Sequence, residues 1–365
     1  MEYINTPMNK IGRVVTGKTP STAIPEYYGG EIMFITPTEL HADFTVKKSD
    51  KTITQAGFNS IRSNTIQGTS VMVGCIGWDM GNVALCTETC ATNQQINSVT
   101  DIKSGYNPLY LYYWLRTKKD YLFSIASVTR TPILSKSTFE EILVPMPRKD
   151  RQDAVAHVLS AIDKKIVLNN GINDNLEQMA YDTYMHLFFK KQPNGKLREI
   201  IVENNKSSVQ VGEAKGKSGN CPFFTSGDAI LEWDCSMVDG RNSFLNTGGN
   251  AAVKFYIGEA AYSTDTWCIT ANRNLADYLY LLLLSIKPEL NQKFFQGTGL
   301  KHLQKPLLKD RLIYIPSKNE IKGFNSKVQP LMNMISVNTR ENKRLTTLRD
   351  WLLPMLINGQ ATVSD

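Results

Sequence analysis

One spacing governs this chain. Leu143-Val144-Pro145-Met146-Pro147 returns 169 residues later as Leu312-Ile313-Tyr314-Ile315-Pro316, and the same offset pairs Leu159 with Val328, Ile162 with Leu331, Ile166 with Ile335, Leu176 with Leu345 and Met179 with Leu348. Upstream, Tyr110-Leu111-Tyr112-Tyr113-Trp114-Leu115 is echoed by Tyr278-Leu279-Tyr280-Leu281-Leu282-Leu283. Short apolar runs resemble one another by accident, but accident does not hold one offset from residue 143 to residue 183. A repeat of this kind reads as one folding unit written twice. At roughly 100–200 residues per domain, a chain of 365 residues has room for two such units and little else.

Each copy runs in the same order. A long first part is rich in Gly, Thr and Asn and in short β-type runs, such as Glu31-Ile32-Met33-Phe34-Ile35 and Ser70-Val71-Met72-Val73. An apolar helix follows, then a short strand that ends in Pro147 or Pro316. Asn107-Pro108 reads as a helix start, with Asn107 the cap and Pro108 in the first position. After each closing proline comes a long polar segment with helical spacing. Leu159, Ile162, Ile166, Asn169, Asn173, Leu176, Met179 and Thr183 advance by threes and fours, as do Val328, Leu331, Ile335, Asn338, Asn342, Leu345, Leu348 and Leu352. This is a narrow seam, unlike the broad stripe of a globular surface helix.

Each seam predicts a helix of about 35–40 residues, roughly 55–60 Å long. Such a helix needs a partner, and the partner at hand is its own repeat. Antiparallel pairing would set Asn169 and Asn173 against Asn338 and Asn342, where buried Asn costs stability but fixes register. Gly171 is expected on the exposed side, and Pro330 near a first turn or at a local kink. The fold class is therefore α+β: two pseudo-repeated mixed α/β domains separated by two long antiparallel helices forming a coiled coil. The expected boundaries are 1–148 for the first domain, 149–191 for the central helix, 192–316 for the second domain and 317–365 for the C-terminal helix.

Composition narrows the function classes. The longest apolar stretch, Tyr278 to Ile286, falls far short of the ~20 residues that span a bilayer. Met1-Glu2-Tyr3-Ile4-Asn5 lacks the features of a secretory signal. The six cysteines (75, 86, 90, 221, 235 and 268) form no CxxC, and the four histidines (41, 157, 186 and 302) form no HExxH. Reduced thiols, no metal site and a cytoplasmic location are the expectation. The net charge of +7 permits a polyanionic partner without demanding one, since no segment is a basic tail.

Two catalytic decoys are set aside. In Gly212-Glu213-Ala214-Lys215-Gly216-Lys217-Ser218, three residues separate the glycines where a phosphate-binding loop has four, and the following Gly219-Asn220-Cys221-Pro222 cannot open a helix. Its lysines form an exposed cationic loop instead. Asn107-Pro108-Leu109-Tyr110 lacks the second proline of the Asn-Pro-Pro-Tyr in adenine methyltransferases, and no Gly-rich cofactor loop precedes it. No set of side chains with catalytic spacing stands out, so no catalytic residue is assigned.

Gly17-Lys18-Thr19-Pro20-Ser21, then Pro25-Glu26-Tyr27-Tyr28-Gly29-Gly30-Glu31-Ile32 and Phe34-Ile35-Thr36-Pro37-Thr38-Glu39-Leu40, resemble the opening of a target-recognition domain. The family is the specificity (S) subunit of type I restriction–modification systems. Gly248 to Trp267, with Tyr262-Ser263-Thr264-Asp265-Thr266-Trp267, is similar to a segment of that family's second recognition domain. Leu348-Arg349-Asp350-Trp351-Leu352-Leu353-Pro354-Met355-Leu356 with Asn358-Gly359-Gln360 is similar to its distal helix end. The resemblance implies a non-enzymatic subunit whose two domains each read one half of a bipartite double-stranded DNA target. It implies that the helices set the gap and dock two methyltransferase (M) subunits, with motor-nuclease (R) subunits completing the assembly. No cofactor is implied for this chain; S-adenosylmethionine, ATP and Mg belong to the partners.

Residue type and loop context nominate the DNA contacts. In the first domain these are Arg13, Lys18, Thr19 and Ser21, then Trp78 and Asp79, then Thr92, Asn93, Gln94 and Gln95, and finally Arg130 and Thr131. In the second they are Lys215, Lys217, Arg241, Asn242, Asp265, Thr266, Lys301 and His302. Arg130 leads, because its loop recurs as Gly297-Thr298-Gly299-Leu300-Lys301 at the equivalent place in the repeat. Against each stands the plain alternative of a turn cap or a solvated side chain. Tyr112, Tyr113 and Trp114 are expected in the core, and Trp351 is expected to pack within the helix pair. Two rivals remain at this point: a standalone DNA-binding or regulatory protein of the same build, and a nucleic-acid-modifying enzyme with a dispersed site.

Overall fold

The computed structural model describes residues 3–41, 44–128 and 130–363. The chain divides into two compact units, one formed by residues 1–168 and 342–365 and the other by residues 169–341. Each long helix therefore contributes one half to each unit.

In the first unit, strands β1 (Arg13–Thr16), β2 (Ser70–Gly74), β3 (Val83–Cys86) and β4 (Ile96–Thr100) form an antiparallel sheet in the order β1-β4-β2-β3. Successive side chains on a strand point to opposite faces, and here both faces are covered, which is why the central stretches Val71-Met72-Val73 of β2 and Val83-Ala84-Leu85 of β3 are apolar throughout. Val14, Val71, Val73, Leu85 and Val99 turn to one face and meet helix α1 (Pro108–Arg116). Val15, Met72, Ala84, Cys86 and Ile96 turn to the other. There they meet a second sheet, in which Tyr28–Ile35 lies parallel to Cys90–Thr92 and antiparallel to Lys51–Ile53. The Asn107 side chain accepts hydrogen bonds from the N–H groups of Leu109 and Tyr110, and Pro108 opens α1 as expected. Tyr112, Tyr113 and Trp114 are core residues. Helix α2 (Lys149–Phe188) follows the short strand Leu143–Met146.

The second unit repeats the plan, with one strand fewer in its second sheet, which has no counterpart of Thr65–Ile66. Strands β5 (Ile201–Glu203), β6 (Arg241–Asn246), β7 (Val253–Ile257) and β8 (Thr266–Ala271) pair in the order β5-β8-β6-β7. Its second sheet again joins a parallel pair, Cys221–Phe224 with Ala261–Tyr262, to an antiparallel strand, Ile230–Trp233. Helix α3 (Ala276–Ser285) packs Tyr278 against Tyr184 and Phe188 of α2 and Phe324 of α4 (Lys318–Ile357). Both α2 and α4 have 40 residues, and their first residues lie 169 apart.

The helix pair is antiparallel within each unit. In the first, Arg349 of α4 donates to Asp163 of α2 at 2.7 Å, and the Arg151 guanidinium reaches the Ala361 carbonyl. In the second, the amide of Asn338 donates to Asn173 at 2.9 Å, as the register predicts, whereas the amide of Asn169 goes to Glu341 at 2.8 Å. Gly171 is on the exposed side.

Three seam readings are corrected. Met179 is 54% exposed, because Ala180 and Tyr184 occupy the buried positions and the contact line steps from Asn173 through Glu177 to Ala180, Tyr184 and Phe188. Leu348 is 43% exposed, because Arg349 turns inward to Asp163 in its place. Trp351 is 58% exposed rather than packed in the pair, since Leu353, Leu356 and Ile357 form the inward face there. Pro330 lies well inside α4, away from its first turn.

Candidate nucleic-acid interface

At one end of the first unit's four-stranded sheet, three loops are tied together by backbone hydrogen bonds. The Cys75 N–H donates to the Gln95 carbonyl at 2.7 Å, the Leu134 N–H to the Cys75 carbonyl at 2.9 Å, and the Gly77 N–H to the Pro132 carbonyl at 3.0 Å. The loop after β2, the turn before β4 and the hairpin Ser127–Val128/Pro132–Ile133 thus form one ridge. The opening loop joins it, because Thr19 Oγ1 donates to Gln94 Oε1 at 3.0 Å. Gly17 makes this approach feasible: a Cβ there would lie 2.1 Å from Thr92 Oγ1 and 2.2 Å from the Asn93 carbonyl oxygen.

The second unit builds the same ridge with the same three bonds. The Thr247 N–H donates to the Asp265 carbonyl at 3.0 Å, the Leu303 N–H to the Thr247 carbonyl at 2.9 Å, and the Gly249 N–H to the Lys301 carbonyl at 2.9 Å. The hairpin Phe295–Gln296/His302–Leu303 stands where Ser127–Ile133 stands in the first unit. Residues 204–220 replace the opening loop and are tied in through the Thr264 N–H to the Val209 carbonyl at 2.9 Å. No Gly-x-Thr-Pro-Ser run was needed to fill that place.

The predicted contacts sort accordingly. Lys18, Thr19, Asn93, Gln94, Gln95, Trp78, Arg130 and Thr131 come together on the first ridge, with Ser21 exposed in the opening loop; Thr129, beside Arg130, lies outside the described residues. Asn93 and Gln95 are held by each other, Asn93 Nδ2 donating to Gln95 Oε1 at 2.8 Å. On the second ridge stand Asp265, Lys301 and His302, all exposed. Lys215 and Lys217 lie in the exposed segment that enters it, Lys217 seated over the Trp233 ring at 4.2 Å.

Six others are engaged elsewhere. Arg13 begins β1 at the far end from the opening loop and pairs with Asp101 at 2.8 Å. Asp79 is bound by Lys119 at 2.8 Å, whose hydrogen bond holds its carboxyl below the usual carboxylate range. Thr92 is buried, and Thr266 is buried with its hydroxyl donating to the Phe224 carbonyl. At the far end of β6, Arg241 binds the buried carboxylate of Asp277 at 2.5 Å, and Asn242 is buried, accepting from Asn204. Burial raises the Asp277 carboxyl above its ordinary range, with Arg241 acting against that shift.

Two cationic side chains beside the ridges were not nominated. Arg62 is exposed in a turn tied to the opening loop by the Asn64 amide, which donates to the Thr16 carbonyl at 2.9 Å. Lys305 follows the second hairpin and lies over the Trp267 ring at 5.0 Å, its ammonium pKa lowered by burial. Neither has a local signal; each becomes visible only when strand pairing brings its loop to the ridge. Among the described residues, no cluster of His, Cys, Asp or Glu is placed to hold a metal, and no helix is long and apolar enough to cross a membrane.

Comparison with known proteins agrees with this layout. The family described as "Type I restriction modification DNA specificity domain" matches twice, at residues 7–178 and 189–347. The MjaIX specificity subunit of Methanocaldococcus jannaschii is 26% identical, with 97% of this chain and 92% of that protein aligned. The HindI specificity subunit of Haemophilus influenzae is 27% identical over 52% of this chain and 40% of its own length. In structure, the crystallised S subunit of a type I restriction–modification system from M. genitalium superposes with a TM-score of 0.62 at 15% identity, covering 98% of this chain and 96% of that one. Matched twice over nearly its full length, the chain belongs to the type I restriction–modification DNA specificity family.

Proposed function

We propose that each ridge contacts double-stranded DNA and that the two together read a bipartite target. As a member of its family, the chain is a non-catalytic recognition subunit, and the chemistry belongs to partner subunits that use S-adenosylmethionine, ATP and Mg. The observation that carries the DNA reading is the ridge built twice from the same three backbone hydrogen bonds. Rigid loops bearing Lys, Arg, Asn and Gln side chains suit the division of labour in DNA recognition, cations on phosphates and planar amides or guanidinium on base edges. Helices α2 and α4 act as the spacer and as the docking surface for two methyltransferase subunits, with motor-nuclease subunits joining them. In this reading the recognition domains span 1–148 and 192–316, and the helical segments 149–191 and 317–365.

The ridge residues divide by expected role. Arg130, at a hairpin tip, reads a base edge; Lys18, Lys215 and Lys217 bind phosphate. Arg130→Ala should weaken binding by about 1–3 kcal/mol and relax sequence preference, whereas Lys18→Ala should weaken all sequences alike and reduce the salt slope by about 1. Titrations of the full chain against duplexes enriched from a random pool, at several salt concentrations, distinguish the two. Wild-type affinity and preference in both variants would refute the ridge as the DNA surface.

A further inference from the structure

The turn after β2 holds an aromatic side chain out from the first ridge. Gly77 and Gly81 take positive φ angles of 104° and 91°, and the turn closes through the Met80 N–H to the Gly77 carbonyl and the Gly81 N–H to the Gly74 carbonyl. Every neighbour of Trp78 in this turn is anchored. Gly77 is bonded to the hairpin through Pro132, Asp79 is held by Lys119 and His41, and Met80 is buried in the core. Trp78 itself is 71% exposed, backed on one side by the Phe123 ring at 6.1 Å and otherwise open.

A fixed turn that leaves a large apolar ring in water is poor design for stability alone, since covering that ring would stabilise the fold. Its surroundings identify the occupant. The ring stands on a ridge that exposes the cationic and amide side chains of Lys18, Gln94 and Arg130 beside the apolar Val128 and Ile133 of the hairpin. A partner that offers a flat apolar face within a polyanionic frame is nucleic acid, and the apolar face is that of a base. The equivalent turn of the second unit carries Gly249, Asn250 and Ala251, with no aromatic residue.

We propose that Trp78 stacks on a nucleobase in the half-site read by the first unit, and that the second unit has no equivalent stacking contact. The proposal rests on the ridge being the DNA surface and adds the mode of contact. Stacking requires a base partly released from its neighbours, so the first half-site is the one at which the duplex is unstacked.

The test uses the full chain and duplexes enriched from a random pool by the wild-type protein. Trp78→Ala should bind roughly ten- to a hundred-fold more weakly, the range expected for loss of one base–aromatic stack, with the salt slope unchanged because no phosphate contact is lost. Trp78→Phe should recover most of the affinity. If Trp78→Ala binds within twofold of wild type while Arg130→Ala is weakened, stacking is refuted and the ridge stands. If Phe fails to restore the loss, the ring face is not the contact and stacking is likewise refuted. If the Trp78, Arg130 and Lys18 variants all bind like wild type, the ridge reading falls and takes the proposal with it.

Discussion

At the scale of single residues, the helix pair is fixed by a charge that nothing in a hydrophobic pattern announces. Asp163 is buried in the seam, where it accepts from Arg349 at 2.7 Å and from the Tyr113 hydroxyl at 2.6 Å. Removing one partner of a buried pair leaves the other uncompensated. Arg349→Met should therefore lower the stability of the first unit by about 3–5 kcal/mol, and adding Asp163→Leu should restore part of that loss. Urea unfolding of the wild type and these two variants checks the order. Gly17 is a second such position. Because Gly17→Ala would press a methyl group into Thr92 and the Asn93 backbone, it should displace the opening loop and weaken DNA binding while leaving the helix content of circular dichroism unchanged. The polar residues show where residue type stops being informative. Arg241 and Lys301 look alike in a sequence, yet one begins a strand at the end where Asp277 waits and the other closes a hairpin on the ridge. Only pairing register separates them.

At the scale of elements, the existence and length of α2 and α4 were legible because a 3–4 seam sustained over about seven turns has no other explanation. Its phase was not fully legible. Met179 and Leu348 outweighed Ala180 and Arg349 on hydrophobicity, yet the helix pair selects for fit and for a matched charge. The corrected phase makes a contrast. Met179→Lys should change stability by no more than about 0.5 kcal/mol, as a surface substitution, while Ala180→Leu, overpacking a fully buried site, should cost about 1–3 kcal/mol. Equal effects would mean that the seam runs elsewhere. The start of α4 carries its own pH dependence. Glu320 receives hydrogen bonds from Lys191 and from the Ser317 N–H and hydroxyl, which hold its carboxyl down at about 2 against an ordinary 4.5. A depressed carboxyl pKa stabilises the fold above the unfolded value and ceases to do so as pH falls through the folded one. Its contribution should be complete above pH 4.5 and vanish toward pH 2. Glu320→Gln should flatten the fall of melting temperature across that window, and an unchanged slope would count against the cap.

At the scale of the whole molecule, the repeat was the strongest signal because it constrains topology. Both units show the same strand order, the same parallel pair in the second sheet and the same long helix 169 residues apart. What the repeat could not show is how loops distant in sequence converge. Residues 75–78, 93–95, 127–128 and 130–134 meet only because β2 ends and β4 begins at the end of the sheet where the hairpin docks. In the proposed function, each unit reads its own half of one DNA target. Selection of bound duplexes from a random pool, sequenced for the wild type, Arg130→Ala and Lys301→Ala, tests it most directly. Two preferred blocks separated by a fixed, unselected gap are expected, with Arg130→Ala relaxing one block and Lys301→Ala the other. A single continuous block, or both blocks relaxing together in either variant, would contradict it.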